Sequence, residues 1–136
     1  MEVHTGRLID HVHLRTQDLD ACKRFYGAIL DVLGIPYVAD DTHFQADELW
    51  IDVGKPDSHV HLAFQAKDRA TVDRAYEAAI AAGGKDNGKP GERDYHPGYY
   101  AGFFLDPDGN NIEAVFHGPA QRSADSVKIS FEMPKA

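Results

Sequence analysis

Two histidines and one glutamate, His11, His61 and Glu113, lie at nearly equal intervals along this 136-residue chain. Each falls in a segment whose residue pattern predicts a β-strand. Two imidazoles and a carboxylate can hold a divalent metal ion and still leave coordination positions free for a substrate. Glu113 also precedes the apolar run Ala114–Phe116. Because a buried carboxylate without a partner is costly, the sequence predicts a metal site that these three side chains share.

Three neighbouring polar residues keep alternatives open. Asp52, in a predicted strand of the first half, is a possible fourth ligand. His13 and His59 each lie two residues from one of the favoured histidines, His11 and His61. Strand alternation places each on the same face as its neighbour, so either could be the true ligand in a different register.

Two further residues are weighed for chemistry. His96, in a polar loop, is a candidate proton shuttle because an imidazole titrates near neutral pH; its alternative role is to stabilise its own turn. Cys22 falls on the apolar face of a predicted helix, which favours a buried small hydrophobic residue over a nucleophile. As the single cysteine, it excludes an internal disulfide bond.

The charge balance excludes several classes of partner. There are 14 basic and 22 acidic residues, which gives a net charge of −8 without any basic run. A protein that binds a phosphate backbone needs a positive face, so we expect neither nucleic acid nor an anionic membrane as partner. We also expect a cytoplasmic protein, since the sequence lacks a membrane-length apolar run and the N-terminus lacks the apolar core of a secretory signal.

The elements that must position these side chains follow the same order twice. In the first half a strand pattern over residues 8–14 leads to the N-cap Asp18, and a helical stripe from Leu19 to Leu33 ends at Gly34. Short strand-like pieces follow at residues 37–38, 43–44 and 49–53.

In the second half, the strand pattern covers residues 59–64, Asp68 is the N-cap and a helix ends at Gly83. Residues 85–97 read as a polar, turn-rich loop. Strands at 99–105 and 110–116 then flank the turn Asp106–Gly109, in which proline and glycine occupy favourable positions. Residues 127–133 alternate weakly and could add an edge strand.

The chain is therefore predicted to be one domain built from a repeated strand–helix–strands unit. In this repeat His11 and His61 take the same position in the two opening strands, and Asp52 and Glu113 are similarly placed in the two closing strands. Scattered surface histidines would not be expected to fall into such a register.

These motifs resemble the vicinal oxygen chelate superfamily, which includes glyoxalase I, bleomycin- and fosfomycin-resistance proteins and extradiol dioxygenases. The resemblance spans about residues 8–117 and is carried by residues 9–14, 18–19, 25–26, 61–64 and 106–113. It implies an α+β fold in which two βαβββ modules form a curled mixed sheet around a metal-binding pocket. The modules would cover about residues 8–54 and 59–117, with a C-terminal extension at residues 118–136.

The resemblance also implies a chemistry. His11, His61 and Glu113 would hold a divalent ion of Fe, Mn, Ni or Zn, and the substrate would be a small molecule that chelates through oxygen. Glyoxalase I proteins use a fourth ligand, usually Glu or Gln, whereas the counterpart here, Asp52, is one methylene shorter. Dioxygenase-like chemistry is therefore placed slightly ahead of lyase or isomerase chemistry.

The rival reading belongs to another class of protein. It is a metal-free protein that sequesters a drug or metabolite, as bleomycin-resistance proteins do. This interpretation ranks second because the chain retains all three ligand residues, which those proteins have generally lost. For either function a homodimer is the default assembly.

Overall fold

The computed structural model describes residues 2–56 and 58–131. Two units of the same plan make up most of it. The first module consists of β2 (Val12–Thr16), α1 (Leu19–Leu33), β3 (Val38–Ala39), β4 (His43–Ala46) and β5 (Leu49–Val53). The second module consists of β6 (His61–Gln65), α2 (Arg69–Ala81), β7 (Lys85–Glu92), β8 (Tyr100–Leu105) and β9 (Asn111–Phe116). The strands β1 (Glu2–Thr5) and β10 (Val127–Ser130) flank both modules.

Both helices begin where the sequence predicts. The side chain of Asp18 accepts a hydrogen bond from the backbone N–H of Ala21, and that of Asp68 accepts one from Thr71. Such caps satisfy backbone donors that have no partner inside the helix. At the other end of α1, Gly34 adopts a φ of 73°, which a residue with a Cβ rarely does, and the helix stops there.

Each module forms its own four-stranded mixed sheet. The strand order is β2-β5-β4-β3 in the first sheet and β6-β9-β8-β7 in the second. The opening strand of each module pairs in parallel with its closing strand, and the remaining pairs are antiparallel. The opening strands β2 and β6 are therefore outermost strands, and the predicted α+β architecture with two modules is confirmed.

The two helices pack together and join the modules through one core. Buried aromatic rings meet edge to face, with 5.9 Å between the ring centroids of Phe25 on α1 and Phe104 on β8. The buried hydroxyl of Tyr26 donates a 2.5 Å hydrogen bond to Asp106, in the turn between β8 and β9. The helices thus cover one face of each sheet.

Two sequence predictions are wrong in this fold. Residues 85–97 are not one loop, because β7 occupies Lys85–Glu92 and pairs with β8 across two irregularities in register. Bulges and a glycine at φ 143°, Gly88, hide this strand from any alternation pattern. The predicted strand at residues 8–14 begins only at Val12, whose N–H makes a ladder-type bond to the carbonyl of Glu48, and Leu8 is 89% exposed.

The ends of the chain pair with each other. β1 and β10 form an antiparallel two-stranded ribbon with Val3 opposite Ile129, separate from the module sheets. The sequence predicts a strand at residues 127–133 without a partner for it; residues 132 and 133 lie outside the described part. Neither α1 nor α2, the helices found in the described ranges, is long and apolar enough to cross a bilayer.

Candidate functional site

A buried carboxylate and an imidazole meet on the open face of the second sheet. His61 is the first residue of β6, and Glu113 lies in the adjacent strand β9. Their side chains point to the same face, and Nε2 of His61 is 2.7 Å from Oε1 of Glu113. The Glu113 side chain is 3% exposed and that of His61 is 54% exposed, so the pair joins the protein interior to solvent.

The second oxygen of this carboxylate is occupied by a tyrosine. The hydroxyl of Tyr99, just before β8, donates a hydrogen bond to Oε2 of Glu113. Burial, followed by this bond and the charge of Glu113, raises the pKa of Tyr99 well above its usual value. Tyr99 therefore stays protonated near neutral pH and fixes the carboxylate with Oε1 turned towards His61.

Two further imidazoles lie beside that tyrosine. Nε2 of His96 is 2.9 Å from Nδ1 of His117, and Nδ1 of His96 is 2.9 Å from the carbonyl oxygen of Pro97. The Tyr99 ring meets His96 and His117 edge to face, at centroid distances of 5.3 and 5.0 Å. His96, the predicted proton shuttle, thus belongs to an exposed pair that reaches Glu113 through one tyrosine.

An apolar wall stands next to the His61–Glu113 pair. Phe103 lies directly opposite Glu113 in the β8–β9 ladder, and its ring centroid is 6.0 Å from that of His61. The guanidinium of Arg93 stacks over the same ring at 5.3 Å. A small molecule at His61 would therefore meet an aromatic side with a cation behind it.

His11, the third predicted ligand, lies in the first module. It directly precedes β2, its side chain is 68% exposed, and its Nδ1 atom is 2.7 Å from a carboxylate oxygen of Asp10. Within residues 2–56 and 58–131 of one chain, no three His, Cys, Asp or Glu side chains come together as a group that could hold a metal ion. The fold brings His61 and Glu113 together and does not add His11 to them.

The ladder register corrects the predicted correspondence between the two halves. Glu113 lies opposite Ala63, two residues after His61. In the first module, the residue two after His11 is His13, and it lies opposite Trp50. An aromatic residue therefore takes the place of the glutamate. A match of His11 with His61 therefore excludes a match of Asp52 with Glu113.

Asp52 has a different partner. It lies opposite Arg15, two residues after His13, and Nε2 of His13 is 2.8 Å from its Oδ1 atom. The bond from His13, with smaller contributions from Trp50 and Arg15, lowers the pKa of Asp52. His13 and Asp52 thus repeat in the first module the contact that His61 makes in the second. A ligand role for Asp52 stays a prediction.

Sequence reasoning missed two members of this constellation. They are Tyr99, which as a residue of a predicted strand is more often part of the core, and His117. Their signal lies in the chain order, because Tyr99 directly precedes the strand that pairs with the glutamate strand and His117 directly follows the latter. His59 lies before β6, and its ring lies near Gly109, in the turn between β8 and β9; a side chain at Gly109 would contact it at 3.5 Å.

The sequence of this chain matches a family model. Residues 8–114 match the model described as Glyoxalase/Bleomycin resistance protein/Dioxygenase superfamily. The uncharacterized protein YqjT of Bacillus subtilis (strain 168) is 32% identical, over 77% of this chain and 95% of that protein.

Solved structures agree with this match. A glyoxalase/bleomycin resistance protein from Albidiferax ferrireducens T118 is 34% identical, superposes with a TM-score of 0.70, and the match covers 80% of this chain and 98% of that chain. A lactoylglutathione lyase from Agrobacterium tumefaciens superposes with a TM-score of 0.58 over 81% of this chain and 93% of its own, at 22% identity. The second likeness concerns the fold alone.

Proposed function

Because the chain belongs to the glyoxalase/bleomycin resistance protein/dioxygenase superfamily, we propose that it is a cytoplasmic metalloenzyme whose substrate is a small molecule with two adjacent oxygen atoms. His11, His61 and Glu113 are its proposed metal ligands. The observation that carries the proposal is the buried carboxylate of Glu113, which faces the exposed imidazole of His61 at 2.7 Å. An imidazole and a carboxylate at this distance supply two of the three donors that such a site needs.

The third donor would come from a second copy of the chain. β2 and β6 are outermost strands of different sheets, and an outermost strand leaves a row of backbone groups free to pair. His11 directly precedes β2 and His61 begins β6. A two-fold dimer in which β2 of each copy approaches β6 of the other would form two equivalent sites.

The protein residues would then have separate tasks. A bound divalent ion would act as a Lewis acid on the two substrate oxygens. Glu113 contributes negative charge, and the Tyr99 hydroxyl keeps its carboxylate in one orientation. Phe103 beside His61 provides an apolar surface that keeps water from one side of the substrate.

The paired imidazoles are the proposed proton carriers. A proton on Nε2 of His96 can pass to Nδ1 of His117 over 2.9 Å, and the pair is exposed, so it can exchange protons with solvent. Imidazole is the side chain suited to general acid–base work near neutral pH. The reaction class, dioxygenase-like or lyase/isomerase, depends on which of Fe, Mn, Ni or Zn the site selects.

A second candidate function is sequestration of a small molecule without metal. It is favoured by the same separation of His11 from His61 and Glu113 within the described part of one chain. Substrate-like binding that survives removal of metal and the substitution His61→Ala would support this second function.

Complementation of two ligand variants tests the metal site and its sharing together. Metal content is measured by mass spectrometry for the untagged parent, for His11→Ala and for His61→Ala, each alone. The two variants are then co-expressed with different tags, and the mixed dimer is isolated. A shared site predicts near-stoichiometric metal in the parent, little in each variant, and about half the parent content in the mixed dimer, since one of its two sites is intact.

The other outcomes are equally informative. Loss of metal in each variant without recovery in the mixed dimer would show a site that is not shared. A parent that takes up none of the four metals on reconstitution would overturn the metalloenzyme and leave the sequestering protein. His59→Ala is a matched control that should keep the metal content of the parent, because the ring of His59 lies near Gly109, in the turn between β8 and β9.

A further inference from the structure

A cavity of about 510 Å³ lies between the first sheet and the terminal ribbon of β1 and β10. Both ribbon strands lie outside residues 8–114, the part of the chain that matches the family model. Cavities of this size accommodate small organic ligands. The ribbon therefore adds one wall of this cavity to the part of the fold that matches the family model.

The ribbon presents one consistent face to this space. Val3 and Ile129 are direct partners in the ladder, so their side chains project to the same side, and both line the cavity with Thr5 and Phe131. The ribbon is attached by its backbone, since the N–H of His4 donates to Oδ1 of Asp47 at 3.3 Å. This wall is largely apolar and is held at a distance from the sheet.

The opposite wall contains the only tryptophan of the chain. Trp50 lines the cavity, and its ring stacks on that of His43 with centroids 4.2 Å apart and planes 8° apart. The helix caps Asp18 and Asp68 follow His11 and His61 by the same number of residues. In that alignment Trp50 takes the place of Glu113, so the first module has an aromatic surface where the second has a carboxylate.

Acidic side chains supply the permanent charge at the cavity. Asp10, Asp47 and Glu48 line it together with the imidazoles of His11 and His13, and the described residues contribute no Lys or Arg to its lining. Glu48 also accepts a 3.1 Å bond from the N–H of Gly6. Carboxylates and an indole ring together attract cations, the indole through its electron-rich face, and the same carboxylates repel anions.

We propose that this cavity binds a small aromatic cation, which lies between Trp50 and the terminal ribbon with its charge towards the carboxylates. The site needs no metal ion. It shares His11 with the proposed metal centre, but Trp50, Val3 and Ile129 carry the binding.

Three matched probes without chelating oxygen pairs test the charge preference: 1-methylquinolinium, quinoline and, as the anion, quinoline-6-carboxylate. Each is titrated into the full-length protein with a metal chelator present, and quenching of Trp50 fluorescence is followed beside saturation-transfer NMR. We expect the cation to bind at least about tenfold more tightly than the anion, with quinoline between them. An anion that binds as tightly, or no binding of the cation up to about 5 mM, would overturn the site.

A matched pair of variants tests the location. Ile129→Arg places a cation in the cavity, whereas Ser130→Arg changes the net charge equally at the next position of β10, whose side chain projects to the opposite face of the ribbon. We expect the first variant to bind the cationic probe at least about tenfold more weakly than the parent, and the second to bind it like the parent. Thr5→Lys repeats the test from β1, with circular dichroism as the check of folding.

Two results would show that the proposal is wrong. One is parent-like binding by both Ile129→Arg and Thr5→Lys. The other is Trp50 emission that changes with protein concentration and not with any probe, because a second copy would then cover the cavity. The chelator separates this test from the metal proposal, so either can fail without the other.

Discussion

Nε2 of His61 lies 2.7 Å from Oε1 of Glu113, a carboxylate that is nearly sealed from solvent. His61 itself is half exposed, so this contact leads from a buried acid to the open face of the sheet. The pair is built by two adjacent parallel strands, whose register places Glu113 diagonally across from His61. Such a register makes the contact a property of the sheet and not of a mobile loop.

Tyr99 is expected to hold that carboxylate in place. Tyr99→Phe removes the hydrogen bond to Oε2 of Glu113 and should lower the affinity for Zn²⁺ by about 10- to 100-fold, because partners of a ligand orient it. Competition with a chromophoric chelator measures this affinity. Tyr95→Phe is the control, since Tyr95 is 70% exposed and lies four residues before Tyr99 in the chain. Equal zinc affinity in the two variants would remove the positioning role from Tyr99.

The Tyr26–Asp106 bond is expected to stabilise the junction of the modules. Tyr26→Phe leaves a buried acceptor with one partner fewer and should lower the free energy of unfolding by about 1–3 kcal/mol in urea. Tyr76→Phe removes an exposed 2.8 Å hydrogen bond to Asp86 and should lower the free energy of unfolding by less. If the two variants unfold at the same urea concentration, burial does not set the strength of the Tyr26 bond.

Gly84, just after α2, is expected to tolerate no side chain. A Cβ there would lie 2.7 Å from Cε2 of Phe25 and 2.8 Å from the backbone oxygen of Ala79. Gly84→Ala should therefore destabilise the protein by about 1–3 kcal/mol, because the buried ring and the end of the helix must move. Gly6→Ala is the control, since nothing lies within 4 Å of its Cβ. A thermal midpoint equal to that of the control would contradict the packing at Gly84.

Asp52 should make stability depend on pH in the acid range. Its pKa is lowered in the folded state, chiefly by the bond from His13, so the unfolded state takes up a proton first as the pH falls. The stabilisation is thus present above the ordinary value of 3.8 and is lost as the pH falls through the folded pKa. Urea unfolding should show that the free energy of unfolding decreases less between pH 6 and pH 3 for Asp52→Asn than for the parent. An equal decrease in both would remove Asp52 as the cause.

The amino-acid sequence by itself determined the repeated plan, both helices with their caps, and most strands of the two modules. These features are local, because a helical stripe, an N-cap such as Asp18 or a turn such as Asp106–Gly109 is written in residues close together in the chain. The same local signals identified Glu113 and His61 as residues of interest, and the fold brings their side chains together.

Only the tertiary structure decided how distant segments meet. The pairing of β1 with β10, the irregular strand β7 and the contact of His96 with His117 each join residues that share no local pattern. The register between parallel strands likewise placed Trp50, and not Asp52, at the counterpart of Glu113 once His11 is matched with His61. A two-residue shift keeps every side chain on the same face of a strand, so alternation alone cannot distinguish the two registers, and the backbone hydrogen bonds of the folded sheet do.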